Sequence, residues 1–257
     1  MFLLRKGRGT IFRPLFFEFG KEEEVYNDQV LNQEFLIGSN LLVTPILDPA
    51  TTIIEAYFPG KNEFWYDLFG GTVYEGGQYH YVENELKKPP AVFIREGAIL
   101  FRQDATNVTS SYDLDDSFEL NVALKIFNNS KSTAVGKVLA LKNLNSAQKI
   151  DRCGEVSCFL DVTADLQIKE NLKLLTISFD SKEESELDII FLKKISFYGI
   201  SQIFHDFKNF QMEFEGQKIT LNKNLIKKEE TQNNIVAIEF NQPLSVTKGI
   251  NYAFYFD

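Results

Sequence analysis

The residues whose side chains most clearly could do chemistry are Cys153 and Cys158. They are the two cysteines of the chain and lie in the short string R-C-G-E-V-S-C. Two interpretations stay open, a small disulfide loop formed in an oxidising compartment or two free thiols. Gly154 inside the loop slightly favours the disulfide. A zinc site needs about four ligands, and both histidines, His80 and His205, are far away in sequence. We therefore expect neither a metal ion nor a cofactor.

Sequence signals for the cellular compartment are weak. N-glycosylation acceptor patterns occur at Asn107, in N-V-T, and at Asn128, in N-N-S. Such tripeptides arise often by chance in an Asn-rich chain, so they point only weakly to a secreted glycoprotein. The apolar start Met1 to Leu4 is followed at once by Arg5. It is shorter than the roughly 7–15 apolar residues of a signal peptide.

Three acidic residues, Asp113, Asp115 and Asp116, lie in the string S-Y-D-L-D-D-S-F-E. Closely spaced carboxylates suggest a calcium loop, but such a loop requires Gly at its sixth position. Phe118 stands at that position. The string therefore predicts a solvated turn that precedes a strand.

The two histidines suggest different environments. His80 is flanked by Tyr79 and Tyr81, which could form an aromatic platform for a sugar. Aromatic residues on strands more often pack in a core or pair across strands, and we favour that interpretation. His205 stands beside Asp206, but sequence proximity does not establish a Ser-His-Asp triad. We expect His205 to be a surface or loop residue.

Composition describes a chain that can form a core. The 257 residues are 44% hydrophobic and 25% charged, and they include 24 Phe and 10 Tyr. This content excludes disorder for most of the chain, and the length suits one large or two modest domains. The net charge of -9 argues against a nucleic-acid partner. No apolar run approaches the roughly 20 residues of a membrane-spanning helix.

Alternation of apolar and polar residues predicts strands along most of the chain after residue 40. The stretch from Phe118 to Ile126 predicts a half-buried strand with one face in water. Short strands separated by regular turn signals are typical of antiparallel sandwiches. Five further stretches share the pattern: Ile53 to Phe58, Lys173 to Phe179, Leu187 to Leu192, Ile235 to Phe240 and Tyr252 to Phe256.

The first 47 residues have a different pattern. Thr10 to Phe19 predicts a strand buried on both faces, because apolar residues hardly alternate there. Val25 to Leu36 predicts a helix, preceded by three glutamates that suit the start of a helix. Leu41 to Leu47 is another apolar run. This order of strand, helix and strand is typical of an α/β fold.

Five strings, in this order and at this spacing, resemble the C-terminal part of glycoside hydrolase family 31, whose members are mostly α-glucosidases and relatives. The resemblance is strong over about residues 9–101 and weaker afterwards. Ordered strings are far more specific than one short motif. They are R-P-L-F-F-E-F (13–19), Q-E-F-L-I-G-S-N-L-L-V-T-P-I-L (33–47), A-Y-F-P-G (56–60), F-W-Y-D-L (64–68) and P-A-V-F-I-R-E-G-A-I-L (90–100).

The resemblance implies a domain order. A (β/α)8 barrel would end at the L-L-V-T-P-I-L string, followed by a proximal and a distal β-sandwich. We therefore predict a mainly β chain with a short α/β remnant of the barrel end in residues 1–47, a proximal sandwich in 48–128 and a distal sandwich in 129–257. Such a barrel alone takes about 250 residues, so we expect a fragment or a shortened gene product.

The resemblance also implies chemistry that lies elsewhere. Family enzymes hydrolyse α-glucosides with retention through two aspartates upstream of the R-P-L-F-F-E-F string, so it assigns no catalytic residue to this chain. Glu18 and Asp28 are the acids nearest to barrel-like sequence. A retaining pair would need carboxyl groups about 5–5.5 Å apart. We expect instead that Glu18 pairs with Arg13 and that Asp28 is exposed, and we assign Trp65 and Tyr66 to packing.

These inferences together predict the support domains of a retaining α-glucosidase-type enzyme, inactive as this isolated chain. The alternative is a non-enzymatic carbohydrate-binding or structural β-sandwich protein. An α-glucoside or oligosaccharide would be bound only in a full enzyme, and residues 10–47 would contact a barrel or a second copy of the chain. The resemblance implies a secretory, lysosomal or extracellular location.

Overall fold

The structure, a computed structural model, describes the chain in two compact units, and the described residues up to Glu96 form the first. Those from Gly97 onward form the second. Among the described residues, no helix is long and apolar enough to cross a membrane. The described residues are 10–49, 51–83, 90–106, 108–109, 117–127, 131–139, 159–169, 172–180, 190–200, 210–214, 217–220, 235–246 and 249–256.

Two antiparallel sheets and short helices build the first unit. The larger sheet has the order β1-β2-β3-β8-β5-β6, and β4 pairs separately with β7. Their elements are β1 Phe12–Arg13, helix α1 Phe16–Phe19, 3-10 helix η1 Glu24–Tyr26, helix α2 Asp28–Gln33, β2 Phe35–Ile37, β3 Leu41–Val43, β4 Ile53–Phe58, β5 Phe64–Asp67, β6 Val73–Glu75, β7 Gln78–Glu83 and β8 Val92–Arg95.

The buried strand predicted over Thr10 to Phe19 is wrong. Only Phe12 and Arg13 are in a strand, and helix α1 follows. Pro14 explains the change, because its fixed φ and missing N–H end strand pairing. Its carbonyl accepts the N–H of Phe17 at 3.1 Å and starts the turn. Burial on both faces is also absent, since Phe12 is 65% and Phe17 54% exposed.

The helix predicted over Val25 to Leu36 is broken into shorter elements. Asn27 has an extended backbone, and its side chain accepts the N–H of Gln29 at 3.0 Å. This contact is an N-cap, which begins α2 and separates it from η1. Helix α2 ends at Gln33, and Glu34 is already extended before β2. The apolar spacing that predicted one helix therefore spans two separate helices, η1 and α2, and the start of β2.

The strand, helix and strand order of the first residues is present, but the strands flanking the helices pair antiparallel. Phe12 lies opposite Ile37 in the β1–β2 pair, and Phe35 opposite Val43 in the β2–β3 pair. Strands of a (β/α)8 barrel are parallel. The larger sheet also joins strands from both sides of residue 47. A barrel end in residues 1–47, and the boundaries after 47 and 128, stay predictions.

Both sheets and the helices of the first unit share one core. Its largest fully buried side chains are aromatic, and Trp65 is inaccessible to solvent. The helical part contributes four apolar residues, Leu15, Phe19, Val25 and Val30, and the strands contribute the rest. The strand members are Leu36, Leu42, Ala56, Tyr57, Phe58, Trp65, Val82 and Phe93, with Ala91 just before β8.

The second unit is a two-sheet β-sandwich. Its sheets have the orders β18-β15-β10-β9 and β11-β12-β13-β14-β19-β16-β17, and residues of both form one core. Its strands are β9 Ile99–Arg102, β10 Ser117–Ala123, β11 Lys125–Phe127, β12 Lys131–Leu139, β13 Phe159–Lys169, β14 Leu172–Asp180, β15 Ile190–Tyr198, β16 Phe210–Phe214, β17 Gln217–Thr220, β18 Ile235–Val246 and β19 Asn251–Phe256.

Most strand predictions are confirmed. The five further alternating stretches fall on β4, β14, β15, β18 and β19, with Leu187 to Ile189 outside the described residues. Together with the sheets of the first unit, they confirm the predicted mainly β class.

The wet face predicted for the Phe118 to Ile126 stretch is wrong for β10. Asn121 and Ala123 are buried on the face that should meet water. The reason is that Tyr198 of β15, the parallel neighbour of β10, reaches Asn121 on this face. The Tyr198 hydroxyl of β15 donates to Asn121 Oδ1 at 3.0 Å and supplies the buried amide with a partner.

Gly76 provides a test of the packing around the turn after β4. A methyl group at Gly76 would meet the carbonyl oxygens of Gly60 and Pro59, the latter at 2.7 Å. Backbone cannot move aside cheaply, so we predict that Gly76→Ala lowers the free energy of unfolding by about 1–3 kcal/mol. Denaturant titration measures this. Gly70→Ala is the control, because its new methyl group approaches only the Asp67 carboxylate at 3.4 Å. Equal losses in both variants would contradict the prediction.

Candidate functional site

Polar side chains from the helical part of the first unit line one edge of β4. The strand pairs with β7 along its other edge, where Tyr57 lies opposite Tyr79. In an antiparallel pair, the N–H and C=O of alternate residues point away from the partner strand. Gln29 Nε2 donates to the carbonyl of Glu55 at 3.1 Å, and the N–H of Tyr57 donates to Glu34 Oε1 at 2.8 Å. Side chains thus take the place of a neighbouring strand.

Glu34 is the buried member of this row, and it is only 5% exposed. Its Oε1 accepts the backbone N–H of Tyr57, whereas Oε2 is buried and has no hydrogen-bond partner among the described atoms. Burial raises the pKa of Glu34 to about 8, although the hydrogen bond from Tyr57 acts in the opposite direction. The carboxyl group is therefore neutral at neutral pH and below.

Glu22 holds the end of β4 and the turn that follows. Its carboxylate accepts the Tyr57 hydroxyl at 2.8 Å and the backbone N–H of Gly60 at 3.1 and 3.2 Å. Burial raises the pKa of Tyr57, and the hydrogen bond to Glu22 raises it further. The phenol therefore stays protonated and acts as a donor. Glu22 and Glu34 bind two successive parts of the same backbone.

This arrangement is suited to holding backbone rather than to acid–base catalysis. The carboxyl group of Glu34 accepts the backbone N–H of Tyr57, and that of Glu22 accepts the backbone N–H of Gly60. No group of three or more His, Cys, Asp or Glu among the described residues is arranged to hold a metal ion. We name this set the β4 edge, defined by Glu22, Gln29, Glu34, Glu55 and Tyr57.

The acids nearest to barrel-like sequence are placed as expected. Glu18 Oε1 forms an ion pair with Arg13 Nη1, which confirms the predicted partner. Arg13 also donates through Nε to the carbonyl of Thr10 at 2.7 Å. Asp28 is exposed at the first residue of α2. The structure gives each acid a structural environment and no shared reacting position.

The histidine and tyrosines of β7 pack against neighbouring rings. His80 Nε2 lies 2.8 Å from the carbonyl of Glu75, and its ring centroid is 5.3 Å from that of Phe58 and 5.4 Å from that of Tyr74. Tyr79 lies 5.0 Å from Tyr57. These contacts confirm that His80 and Tyr79 pack against neighbouring rings, as predicted, rather than forming a platform for a sugar. Tyr81 is exposed.

Trp65 and Tyr66 are buried, as predicted. Trp65 packs in the core and donates its indole N–H to the carbonyl of Pro59 at 2.7 Å. Arg95 of β8 reaches Glu63 with two hydrogen bonds of 2.7 and 2.9 Å. Its guanidinium also lies 4.6 Å from the ring centroid of Phe19. The two-bond ion pair between Arg95 and Glu63, together with the contact between Arg95 and the Phe19 ring, holds the start of β5 against β8 and α1.

Several predicted site residues lie outside the described part of the chain. These predictions are therefore neither confirmed nor contradicted by the structure. They concern Cys153 and Cys158 as a disulfide, Asn107 and Asn128 as glycosylation acceptors, His205 with Asp206, and the acidic string with Asp113, Asp115 and Asp116.

Strand β1 and the helices that follow it expose large aromatic side chains. Phe12 and Phe17 are more than half exposed, and Tyr26 is 53% exposed. Tyr26 stacks on the half-buried Phe16 with ring centroids 5.7 Å apart, and Phe16 in turn contacts Phe17 at 5.2 Å. We call Phe12, Phe17 and Tyr26 the aromatic surface. It lies within residues 10–47, which the sequence predicts to contact a partner.

Comparison with solved structures identifies the fold. The chain has the fold of a Flavobacterium johnsoniae family 31 dextranase in complex with glucose, with a TM-score of 0.65 and 18% identity over 98% of this chain and 30% of that one. A glucosidase II α subunit gives a TM-score of 0.66 and 18% identity, over 100% of this chain and 27% of that one. The fold is that of a β-rich region of glycoside hydrolases.

Sequence comparison identifies the region more closely. Residues 8–100 match the model of the glycosyl hydrolase family 31 C-terminal domain. "Alpha-glucosidase 2" of Bacillus thermoamyloliquefaciens is 43% identical over 103 residues, which are 40% of this chain and 12% of the relative. "Lysosomal acid alpha-glucosidase" of Tetrahymena pyriformis is 30% identical over 174 residues, 63% of this chain and 18% of the relative. Residues 8–100 are therefore similar to the C-terminal domain of α-glucosidase-like enzymes of family 31, and the chain spans less than a fifth of these two relatives.

Sequence reasoning missed the β4 edge. Glu34 stands directly before the apolar string F-L-I, and an acid in that position is a signal of burial with a specific partner. Glu22 belongs to a run of glutamates that looked like the start of a helix. Their shared partner, the backbone around Tyr57, is more than 20 residues away and gives no signal of its own.

Glu22→Ala tests whether the β4 edge depends on this carboxylate. The variant leaves the Tyr57 hydroxyl and the Gly60 N–H without their acceptor, so we predict a loss of about 1–3 kcal/mol in the free energy of unfolding. Chemical denaturation followed by tryptophan fluorescence measures it. The adjacent Glu23→Ala is the control, because Glu23 is exposed and its side chain does not cap η1. A loss at Glu23 as large as at Glu22 would refute a specific role.

Proposed function

We propose that this chain supplies the supporting β domains of a retaining α-glucosidase-type glycoside hydrolase and that it does not hydrolyse α-glucosides by itself. The match of residues 8–100 to the family 31 C-terminal domain carries the proposal. The relatives that it resembles are described as α-glucosidases. In this family the two catalytic aspartates precede the string that begins at Arg13.

The environments of the acids support the second half of the proposal. Glu18 is engaged with Arg13, Glu22 and Glu34 bind the backbone of residues 57 and 60, and Asp28 is an exposed helix residue. A retaining mechanism needs a nucleophile and an acid/base facing one sugar. Glu18, Glu22 and Glu34 are held by these contacts, so none of the three is free to form such a pair with Asp28 while the first unit is folded as described.

The aromatic surface supports a role in packing against a catalytic domain. Phe12, Phe17 and Tyr26 offer rings of the size and type that carry binding energy at interfaces. They come from the residues 10–47 that resemble the end of a barrel. We propose that these rings contact the (β/α)8 barrel of the same enzyme.

A direct assay tests the absence of activity. We expect the purified chain to release no nitrophenol above background from 4-nitrophenyl α-glucoside, at concentrations where a family 31 α-glucosidase gives a strong signal. Turnover that co-elutes with the chain, and that a Glu18→Gln or Asp28→Asn variant abolishes, would overturn the proposal. Maltose binding without turnover, measured by calorimetry, would instead favour a carbohydrate-binding protein.

Complementation tests the proposed contact. The barrel-containing part of "Alpha-glucosidase 2" of Bacillus thermoamyloliquefaciens, without the segment that matches this chain, is co-expressed with the chain and captured by an affinity tag. We expect co-purification, and we expect the double variant Phe12→Ser/Phe17→Ser to reduce the captured amount by about tenfold or more. Phe69→Ser is the control, because Phe69 is also an exposed aromatic residue of the first unit. Undiminished capture of the double variant would contradict the proposal.

A further inference from the structure

The β4 edge joins the helical part of the first unit to β4 through side chains alone. Gln29, Glu34 and Glu22 bind, in that order, the carbonyl of Glu55 and the N–H groups of Tyr57 and Gly60. Strand-to-strand pairing would use backbone groups, which do not change charge with pH. Two of these three contacts instead depend on carboxyl groups. The attachment of residues 22–34 to β4 can therefore respond to pH.

Glu34 is the group whose charge matters most. Only 5% of the surface of Glu34 is exposed, and its Oε2 has no hydrogen-bond partner among the described atoms. A carboxylate needs hydrogen-bond donors at both oxygens to offset its burial, whereas a neutral acid has a smaller penalty. The geometry at Glu34 thus fits the protonated form better than the charged one.

The titratable groups described around the β4 edge are acids and phenols. Tyr79 of β7 is exposed to the charges of Glu34, Glu24 and Glu55, and Tyr57 to those of Glu22 and Glu24. All of these groups are acids. A negative charge on Glu34 would therefore add to an already acidic surrounding, and β4 and β7 present phenols to it rather than cations.

We propose that Glu34 makes residues 22–34 a pH-sensitive clasp on β4, closed while the buried carboxyl group keeps its proton and loosened when it loses it. The inference concerns the first unit itself and is independent of the proposed function. Loosening would uncover the edge of β4 and the backbone N–H of Tyr57 without unfolding the larger sheet.

The direction of the pH dependence follows from the two states of Glu34. The ordinary pKa of 4.5 applies to the open or unfolded state, and burial raises the pKa to about 8 in the closed state. The closed state therefore holds its proton more tightly. The contribution of the Glu34 proton to the stability of the closed state is complete below about pH 4.5, decreases between the two pKa values and is lost as the pH rises through about 8. Within this window the opening constant rises by up to about tenfold per pH unit.

Amide hydrogen exchange tests the clasp in the full chain. Protection factors of the Tyr57 and Gly60 amides are measured from about pH 5 to about pH 9, after correction for the intrinsic exchange rate. We expect a fall of at least about tenfold, and a smaller fall for amides of β8 in the larger sheet. Glu34→Gln keeps the acceptor oxygen and the neutral state, so we expect its protection factors to be independent of pH.

Glu23→Gln is the matched control, because it makes the same change at an exposed glutamate of residues 22–34 and should keep the pH dependence of the parent chain. Three results would each overturn the proposal. The Tyr57 and Gly60 protection factors of the parent chain could be independent of pH, the protection factors of β8 could fall equally, or those of Glu34→Gln could fall as in the parent chain. If Glu34→Gln does not fold, the carboxyl carbon of Glu34 in the parent chain is titrated by NMR. A midpoint near 4.5 would then refute the clasp, and one near 8 would support it.

Discussion

The backbone on the open edge of β4 must find hydrogen-bond partners, and much of the first unit depends on how it does so. Water or another strand would normally satisfy such an edge. Here the partners are side chains of Glu22, Gln29 and Glu34. The same segment buries Val25 and Val30 in the core. One segment therefore both covers the edge of β4 and contributes to the core.

The turn after β4 connects this edge to the rest of the first unit. The carbonyl of Pro59 accepts the Trp65 indole, while the N–H of Gly60 donates to Glu22. Phe58, the last residue of β4, stacks on Tyr74 at 4.6 Å and meets Phe93 edge-on at 4.7 Å. One short turn thus links the helical part, the aromatic core and both sheets, which explains why no space remains for a side chain at Gly76.

The strands could be predicted well from the sequence, because apolar and polar residues alternate along each of them, as in β4 and β19. Each pair of residues therefore repeats the same signal. Prediction failed where a single residue decides the outcome. Pro14 ends a strand that composition would extend, and the side chain of Asn27 caps a new helix within what looked like one. It also failed where the partner is distant. Nothing near Glu34 in sequence indicates the N–H of Tyr57, 23 residues away.

The two units differ in what their sequences must specify. In the second unit, the paired strands of two sheets satisfy the backbone, and many apolar residues can fill such a core. In the first unit, individual side chains perform tasks that few residue types can perform. Glu34, Trp65 and Arg95 each lie in one of the strings that resemble family 31, and each makes a specific polar contact with a backbone group or a side chain outside its own string. The resemblance is therefore strongest where the fold depends on particular side chains rather than on strand patterning.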